Sequence, residues 1–293
     1  MNKIALSFIV LISACQPTKK EVKETSKTDN WEAIWNGTDL TGWHSYLNTP
    51  YQMQEDSLGH AIQAFGVDND PLEVVSVVQK EDGNAIKISG VAWGMIYTEN
   101  IYSNYHLKLK VKWGEAMHKP RENGPRDSGL LYHGHSDIPG AALSHPWMNS
   151  QELQIQEGDM GDYWPVGEVK VDVPTEKDGI YYRYKEGAGL HTFYCAQILP
   201  TASQDSLAKR RILKEFDAEK AHGEWNDIEL IAMGDSSIHI VNGQVVMRLF
   251  NSRMDAGTPL TSGRIVIQSE GAEVYYKDLY MKSISEIPEE FRK

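Results

Sequence analysis

The stretch YHLKLKVKW at residues 105–113 alternates apolar and basic side chains with a period of two. Leu107, Leu109, Val111 and Trp113 fall on one side of the segment, and the three lysines between them fall on the other. Because successive side chains of a β-strand point to opposite faces, the pattern predicts a strand with one buried and one solvated face. Such strands are typical of antiparallel sheets that bury only one face.

Further strand-like runs, rich in β-branched and aromatic residues, lie on both sides of this stretch. They are residues 85–90, 128–133, 151–156, 227–235, 237–249 and 263–284. The dipeptide Asn242-Gly243 predicts a two-residue hairpin turn. Many short strands joined by turns predict an all-β sandwich or jelly roll over residues 31–285, followed by a tail at 286–293. Short helices are expected to be few, and the charged residues 203–220 predict one on the surface.

Composition and charge exclude several classes of protein. Asp and Glu number 41 against 29 Lys and Arg, which gives a formal charge of −12 over 293 residues. A nucleic-acid partner is not expected, because binding to a phosphate backbone needs a basic footprint. Fourteen Tyr, eight Trp and 24 Gly favour strands, turns and an aromatic-lined cleft over a helix bundle.

The N-terminus has the pattern of an export signal: a basic start, a short apolar run, and small residues before Cys15. This pattern resembles the lipobox of bacterial lipoproteins, which implies a signal peptide at residues 1–14 and an acylated Cys15 that anchors the chain to a membrane. An ordinary signal peptide with an incidental cysteine is the alternative. Gln16, where retained lipoproteins carry Asp, implies the outer membrane of a Gram-negative bacterium, on its periplasmic or cell-surface face. Residues 15–30 have the composition of a disordered tether. If Cys15 is acylated, Cys195 has no disulfide partner within the chain, and it is expected to be a small buried residue.

The segment WNGTDLTGW at residues 35–43 resembles the opening motif of the 3-keto-disaccharide hydrolase family. Five further segments match that family in the same order, and they are residues 94–115, 120–134, 151–167, 223–243 and 263–281. The resemblance implies a concanavalin A-like jelly roll of two packed antiparallel sheets, with a concave face that binds sugars. It also implies export, and cleavage of glycosides whose sugar has been oxidised to a ketone at C3.

The segment QELQIQEGDMGDYW at residues 151–164 carries the densest set of polar candidates. Leu153 and Ile155 should face the core, so that Glu152 and its polar neighbours face the open side of the sheet, where they could meet sugar hydroxyls. A half-exposed strand that ends in an acidic turn is the alternative. The expected substrate-binding residues are Gln154, Gln156, Asp159 and Trp164 here, with Gln268, Glu270 and Lys112 elsewhere.

The same segment also resembles the E-x-D-x-x-E strand of jelly-roll retaining glycosidases, with Glu152 and Glu157 as its outer carboxylates. In that mechanism the two carboxylates lie about 5–5.5 Å apart. The central Asp is replaced here by Gln154, whose amide cannot tune the charge of its neighbours. A retaining glycosidase therefore stays an alternative, as does a non-catalytic carbohydrate-binding lipoprotein.

A third candidate group lies in RDSGLLYHGHSD at residues 126–137. His133 and His135 are two residues apart and would share a face of a regular strand, with Tyr132 on the opposite face. Each histidine could act as a base near neutral pH, and together they could form half of a metal site. A structural or surface pair is equally compatible with the pattern, so a divalent metal is possible and no cofactor is certain.

The implied chemistry is cleavage of a 3-keto-glycoside, or a related oligosaccharide, by elimination and hydration. A ketone at C3 acidifies the hydrogen on C2, a base removes it, the C1 oxygen leaves with help from an acid, and water then adds. His133 or His135 is expected as the base, and Glu152 or Glu157 as acid or base. Arg126 is expected to stabilise the developing oxyanion.

Overall fold

The computed structural model describes residues 30–53, 55, 58, 62–135, 146–195 and 209–292. The predicted signal peptide, Cys15 and all but the last residue of the tether lie outside these ranges, so the lipid anchor and the outer-membrane location stay predictions. Within the described residues, no helix has both the length and the apolar character needed to cross a membrane.

The described chain is nearly all β, which confirms the predicted fold class. The strands are β1 (Glu32–Ala33), β2 (Trp43–Leu47), β3 (Gly66–Val67), β4 (Val75–Lys80), β5 (Gly83–Ile88), β6 (Gly94–Thr98), β7 (Tyr105–Met117), β8 (Asp127–His135), β9 (Asn149–Gln156), β10 (Tyr163–Val166), β11 (Val169–Asp178), β12 (Tyr181–Tyr184), β13 (Leu190–Tyr194), β14 (Ile212–Leu213), β15 (Asn226–Met233), β16 (Ser236–Val241), β17 (Gln244–Met254), β18 (Arg264–Ser269) and β19 (Ala272–Ser283). In the described residues the helices are two short 3₁₀ turns, Tyr51–Met53 and Glu289–Phe291.

The strands form the two layers of a jelly roll. Sheet A has the order β4-β5-β19-β7-β15-β16-β17, with β1 also paired to β19. Sheet B has the order β3-β2-β6-β18-β8-β9-β10. The first half of β17 pairs with β16 and the second half with β11, which also pairs with β12 and β13. All of these pairings are antiparallel.

Side chains that alternate along the strands fill the space between the sheets. On β7, Leu107, Leu109, Val111 and Trp113 are buried in the main core, as their spacing predicts. Sheet B contributes Leu130, Leu153, Ile155, Ile265 and Ile267 to the same core. Each large apolar side chain buried in this way stabilises the fold by about 1.5–3 kcal/mol. The predicted hairpin at Asn242-Gly243 joins β16 to β17, with both residues at the positive φ that such a turn requires.

The predicted surface helix at residues 203–220 is wrong over the part that the structure describes. Residues 209–220 contain no helix, and Ile212–Leu213 form β14, which pairs with β10 and β12. Ile212 is fully buried, and the backbone N–H of Lys214 donates to the Asp162 carboxylate at 2.9 Å. These tertiary contacts outweigh the weak helical preference of the segment.

The second half of β8 departs from regular alternation. The β8–β9 register shifts between Tyr132 and His135, and His133 has a φ of 53°. As a result, Tyr132 and its neighbour His133 are both buried. The Tyr132 hydroxyl contacts Ser237 at 2.7 Å and His239 Nε2 at 3.1 Å across the core. His133 lies against the rings of Tyr105 and Tyr132, so the prediction that His133 and Tyr132 would face opposite sides is wrong.

His133→Gln should make the protein less sensitive to acid. Burial lowers the pKa of His133 to about 4, with the nearby His135 as a further cause, whereas an unfolded histidine titrates near 6.5. Below pH 6.5 the unfolded wild type therefore binds the extra proton, and its free energy of unfolding falls as the pH falls toward 4. Between pH 7.5 and 5 the wild type should lose about 2 kcal/mol more than the variant. Urea unfolding at both pH values measures this, and equal losses would contradict it.

Candidate active site

A cavity of about 250 Å³ lies on the outer face of sheet B, on the side away from the core. Its floor consists of polar side chains from β8, β9 and the end of β18, and these are Asp127, Glu152, Gln154, Gln156, Gln268 and Glu270. Their immediate neighbours in sequence, such as Leu153 and Ile267, are buried in the core. Strand alternation therefore places a row of polar groups directly over an apolar layer.

A missing side chain forms a notch in the middle of this floor. Gly129 on β8 is paired with Gln154 on β9, and Leu131 is paired with Glu152. A Cβ atom at Gly129 would lie under 3.0 Å from the Oε1 atoms of both Glu152 and Gln268. Only glycine lets these two side chains close over the centre of the floor.

Arg121 brings a positive charge to one end of the floor. It lies in the loop between β7 and β8, and its guanidinium pairs with Asp127 at 2.6 Å and with Glu270. The N–H of His118 in this loop donates to the carbonyl of Gly271 at 2.7 Å. Gly271 has a φ of 87°, and a Cβ there would meet the Arg121 Cβ at 3.1 Å. The turn after β18 therefore needs glycine for its backbone, and the absent side chain leaves room for Arg121.

The three carboxyl groups of the floor have little access to water. Burial raises the pKa of Glu152 well above its ordinary value, and the charges of Glu270 and Asp127 raise it further against the opposing effect of Arg121. Burial likewise raises the pKa of Asp127, again with help from Glu270. Glu152 is 4% exposed, and Arg121 pairs with Asp127 and Glu270 and not with the Glu152 carboxyl among the described residues. Glu152 is therefore suited to hold a proton closer to neutral pH than an ordinary glutamic acid would.

Aromatic residues form the walls. Trp147 stacks on Trp93 with ring centres 5.7 Å apart, and its Nε1 donates to the Gly94 carbonyl at 2.9 Å. Trp164 on β10 is paired with Glu152 across the β9–β10 ladder. Several polar atoms of the lining are buried without a hydrogen-bond partner, and they are Asp127 Oδ1, Gln154 Oε1, Gln268 Oε1 and Trp164 Nε1. Such atoms are costly to bury unpaired, so a polar ligand would satisfy them.

The structure brings together half of the site residues expected from sequence. Those that line the cavity are Glu152, Gln154, Gln156, Trp164, Gln268 and Glu270. Those that do not are Lys112, Arg126, His133, His135, Glu157 and Asp159. Lys112 lies on sheet A, where its ammonium is 4.8 Å from the centre of the Trp225 ring.

The charged residues of the predicted acidic turn are paired with each other or with neighbours. Arg126 binds Glu157 at 2.9 Å, and Glu157 also contacts His222 Nδ1 at 2.9 Å. Glu157 is absent from the lining of the cavity that holds Glu152, and its carboxylate is held by Arg126 and His222. Asp159 is bound by Arg211 at 2.6 Å and accepts a hydrogen bond from Gln156.

The two histidines lie outside the lining of the cavity, and their role as metal ligands stays a prediction. Both ring nitrogens of His133 are buried without a partner, and its pKa is lowered to about 4 by burial. His135 is half-buried, and its Nδ1 lies 3.2 Å from the His133 carbonyl oxygen. In the part of the chain that the structure describes, no group of three or more His, Cys, Asp or Glu residues could hold a metal ion.

Sequence reasoning missed seven residues of the lining, and they are Arg121, Asp127, Trp147, Pro165, Val166, Cys195 and Arg210. Asp127 and Gly129 could have been found, because strict alternation from the buried Leu130 puts them on the outer face. Arg121 and Arg210 lie outside regular strands, where no periodic pattern predicts the direction of a side chain. Cys195, expected to be a small buried residue, is half-buried at the cavity wall.

Gly129→Ala should displace the side chains of Glu152 and Gln268. The added methyl group meets the far ends of two side chains, so the free energy of unfolding should fall by no more than about 1–3 kcal/mol. A crystal structure of the variant and urea unfolding measure the two effects. Gly124→Ala is the matched control, because a Cβ there meets nothing closer than 3.6 Å. An unmoved Glu152 in the Gly129→Ala variant would contradict the prediction.

Comparison with known proteins gives the family. The sequence matches the family model described as a 3-keto-alpha-glucoside-1,2-lyase-like domain over residues 30–282. A candidate glycosyl hydrolase from Parabacteroides distasonis ATCC 8503 is 20% identical, with 90% of this chain and 98% of that chain covered and a TM-score of 0.50. A second one from the same organism is 16% identical, with 87% and 100% covered and a TM-score of 0.48. No curated protein matches the sequence.

The family match has consequences for both fold and function. It begins before β1 and ends within β19, so it includes both sheets and every strand that contributes to the cavity floor. It supports a role on carbohydrates, in keeping with the polar floor and aromatic walls described above. The chain therefore belongs to the family of 3-keto-alpha-glucoside-1,2-lyase-like domains.

Proposed function

We propose that this protein cleaves 3-keto-α-glycosides by elimination across C1 and C2, with water then completing a net hydrolysis. The observation that carries the proposal is the cavity floor, where the carboxyls of Asp127, Glu152 and Glu270 are buried close to the guanidinium of Arg121. The substrate class is supported by the family to which the chain belongs.

The elimination needs a base for the C2 hydrogen, an acid for the leaving oxygen, and a positive group near the C3 oxygen. In an α-glucoside the C2 hydrogen and the C1 oxygen lie on opposite faces of the pyranose ring, so base and acid must approach from opposite sides. Glu152 pairs with Leu131, whereas Asp127 lies four residues earlier on β8, with the Gly129 notch between. A ring seated over the notch would have Glu152 on one side and the Asp127–Glu270 pair on the other.

The position of Arg121 distinguishes the carboxyl group assigned as the base from the one assigned as the acid. Its charge favours the ionised form of Asp127 and Glu270, to which it is bound, so one of this pair is assigned as the base. Glu152 is not bound to Arg121 and has a pKa raised by burial and by its acidic neighbours, so it is assigned as the acid. The remaining N–H groups of Arg121 could stabilise the enediolate oxygen that forms at C3.

The proposed reaction has two stages, elimination and then hydration. The base takes the C2 proton, and the electrons of that bond move to the C3 oxygen. The C3 carbonyl then re-forms, a C1–C2 double bond forms, the C1–oxygen bond breaks, and Glu152 gives its proton to the leaving oxygen. Water adds its hydroxyl to C1 and its proton to Glu152, and the base returns a proton to C2. Gln154, Gln268 and Trp164 are assigned to binding, through their unpartnered polar atoms and, for Trp164, through stacking.

Cleavage in D₂O tests the reaction. We expect the purified protein to release 4-nitrophenol from 4-nitrophenyl 3-keto-α-glucoside but not from the unoxidised α-glucoside, and the 3-keto sugar formed should carry deuterium at C2. Substrate recovered early in the reaction is the control for spontaneous exchange. Release from the unoxidised glucoside would indicate an ordinary glycosidase, and release without deuterium would refute elimination. Binding without cleavage of either compound would indicate a sugar-binding module.

Glu152→Gln tests the assignment of the acid. The variant should lose about 10²–10⁴-fold in kcat when the leaving group is a sugar alkoxide, which needs a proton. It should lose little in the first-turnover release of 4-nitrophenolate, which leaves without a proton and precedes the hydration step in which Glu152 takes a proton from water. Glu168→Gln, on an exposed side chain just beyond β10, is the matched control and should leave both rates unchanged. An equal loss with both leaving groups would show that Glu152 has another role.

A further inference from the structure

We infer that Arg210 recognises an anionic group, a carboxylate or a sulfate, on the leaving-group part of the substrate. Arg210 lines the cavity wall, and its guanidinium carbon lies 5.8 Å from the centre of the Trp164 ring. Its Nε is buried and has no hydrogen-bond partner. The assignment to the leaving group rests on the proposed function, whereas the affinity for an anion does not.

The charge of Arg210 is not matched within the described residues, in contrast to the arginines around it. Arg121, the other arginine of the cavity, is paired with two carboxylates. Arg211 is next in sequence and binds Asp159 and Asp162, each at 2.6 Å. For Arg210 the contact with Trp164 is the interaction that the structure shows. Arg210 is half-buried, and its buried Nε–H has no acceptor, which costs free energy unless a ligand in the cavity supplies one.

The chemistry of the cavity selects an anion at this wall and not elsewhere. The floor carries three carboxyls, which repel an anionic ligand group. A guanidinium presents N–H donors in a planar fork that fits the paired oxygens of a carboxylate or a sulfate. An anion can therefore be accommodated where Arg210 faces the cavity, with the Trp164 ring below for stacking of the ring that bears the anion.

The position of Trp164 identifies which part of the substrate reaches Arg210. Trp164 and Glu152 are direct partners on adjacent strands, whose side chains on one face lie about 4.5–5.5 Å apart at Cβ. Glu152 is the residue assigned to protonate the leaving oxygen, so the group next to Trp164 is the one that leaves. The substrate class that fits is a 3-keto-α-glycoside of an acidic alcohol, such as a uronic acid, a sulfated sugar or an acidic phenol.

A matched pair of substrates tests the inference. The 4-carboxyphenyl and 4-carbamoylphenyl 3-keto-α-glucosides have nearly the same shape and differ in charge. The wild type should show a KM about ten- to hundredfold lower for the carboxylate. Arg210→Gln should abolish this preference, with a much smaller effect on the KM for the neutral amide than on the KM for the carboxylate. Lys209→Gln removes a neighbouring cation that contacts Tyr182 and Phe193 instead of the cavity, and it should keep the preference.

Further experiments show which kind of anionic group is bound, and whether a negative result refutes the role of Arg210 or only the proposed function. Substrates with glucuronate, sulfated glucose or glucose as the leaving group show whether a uronate or a sulfate is bound as well as an aryl acid. Equilibrium binding of 4-hydroxybenzoate and 4-hydroxybenzamide tests Arg210 without turnover, so a wild type that cleaves nothing but binds the benzoate through Arg210 would refute only the proposed function. An equal effect of Arg210→Gln on charged and neutral compounds would refute the inference, because Arg210 would then only balance the charge of the floor.

Discussion

The rest of this structure depends on the burial of three carboxyl groups close to the guanidinium of Arg121. Removing charged groups from water is expensive, and Arg121 neutralises only part of the charge that Asp127, Glu152 and Glu270 would carry if all were ionised. Burial and the repulsion between these groups raise the pKa values of Asp127 and Glu152, which favours the protonated form of each more than in an ordinary carboxyl group. An arrangement that costs folding free energy in this way is typical of functional sites, where stability is given up for chemistry.

The core behind the floor is what holds these groups in place. The strands that carry the carboxyls, β8, β9 and β18, are neighbours near the middle of sheet B, and their alternate residues interlock with sheet A. A shift of one residue in any of these strands would bury its polar set and expose its apolar set. The same apolar burial that stabilises the sandwich therefore fixes the register of the carboxyls. Gly129 then decides how closely Glu152 and Gln268 approach each other over the floor.

Period-two alternation is why much of the fold and part of the site could be predicted from sequence. It located the buried face of β7 and the outward direction of Glu152, Gln154 and Gln268. Alternation gave the wrong direction for His133. A bulge in β8 there points the side chain into the core and not into the predicted cleft. Alternation also does not predict the position of Arg121, because this residue lies in the β7–β8 loop, from which it pairs with Asp127. The helical pattern at residues 209–220 gave a wrong prediction. Contacts with Asp162, which is distant in sequence, and pairing with β10 stabilise a strand, β14, in this segment.

The charge of the cavity floor explains why a neutral amide, Gln154, is favourable at this position. In the retaining-glycosidase pattern a carboxylate stands at this place, but here the neighbouring Glu152 already shares a buried space with Asp127 and Glu270. A fourth carboxyl would raise the cost of burying the floor further, because Arg121 is already shared by Asp127 and Glu270. A retaining mechanism needs a carboxylate that attacks C1, whereas elimination through C2 needs only proton transfer at its two ends. A neutral side chain that offers both a donor and an acceptor to sugar hydroxyls is then the more useful group between them.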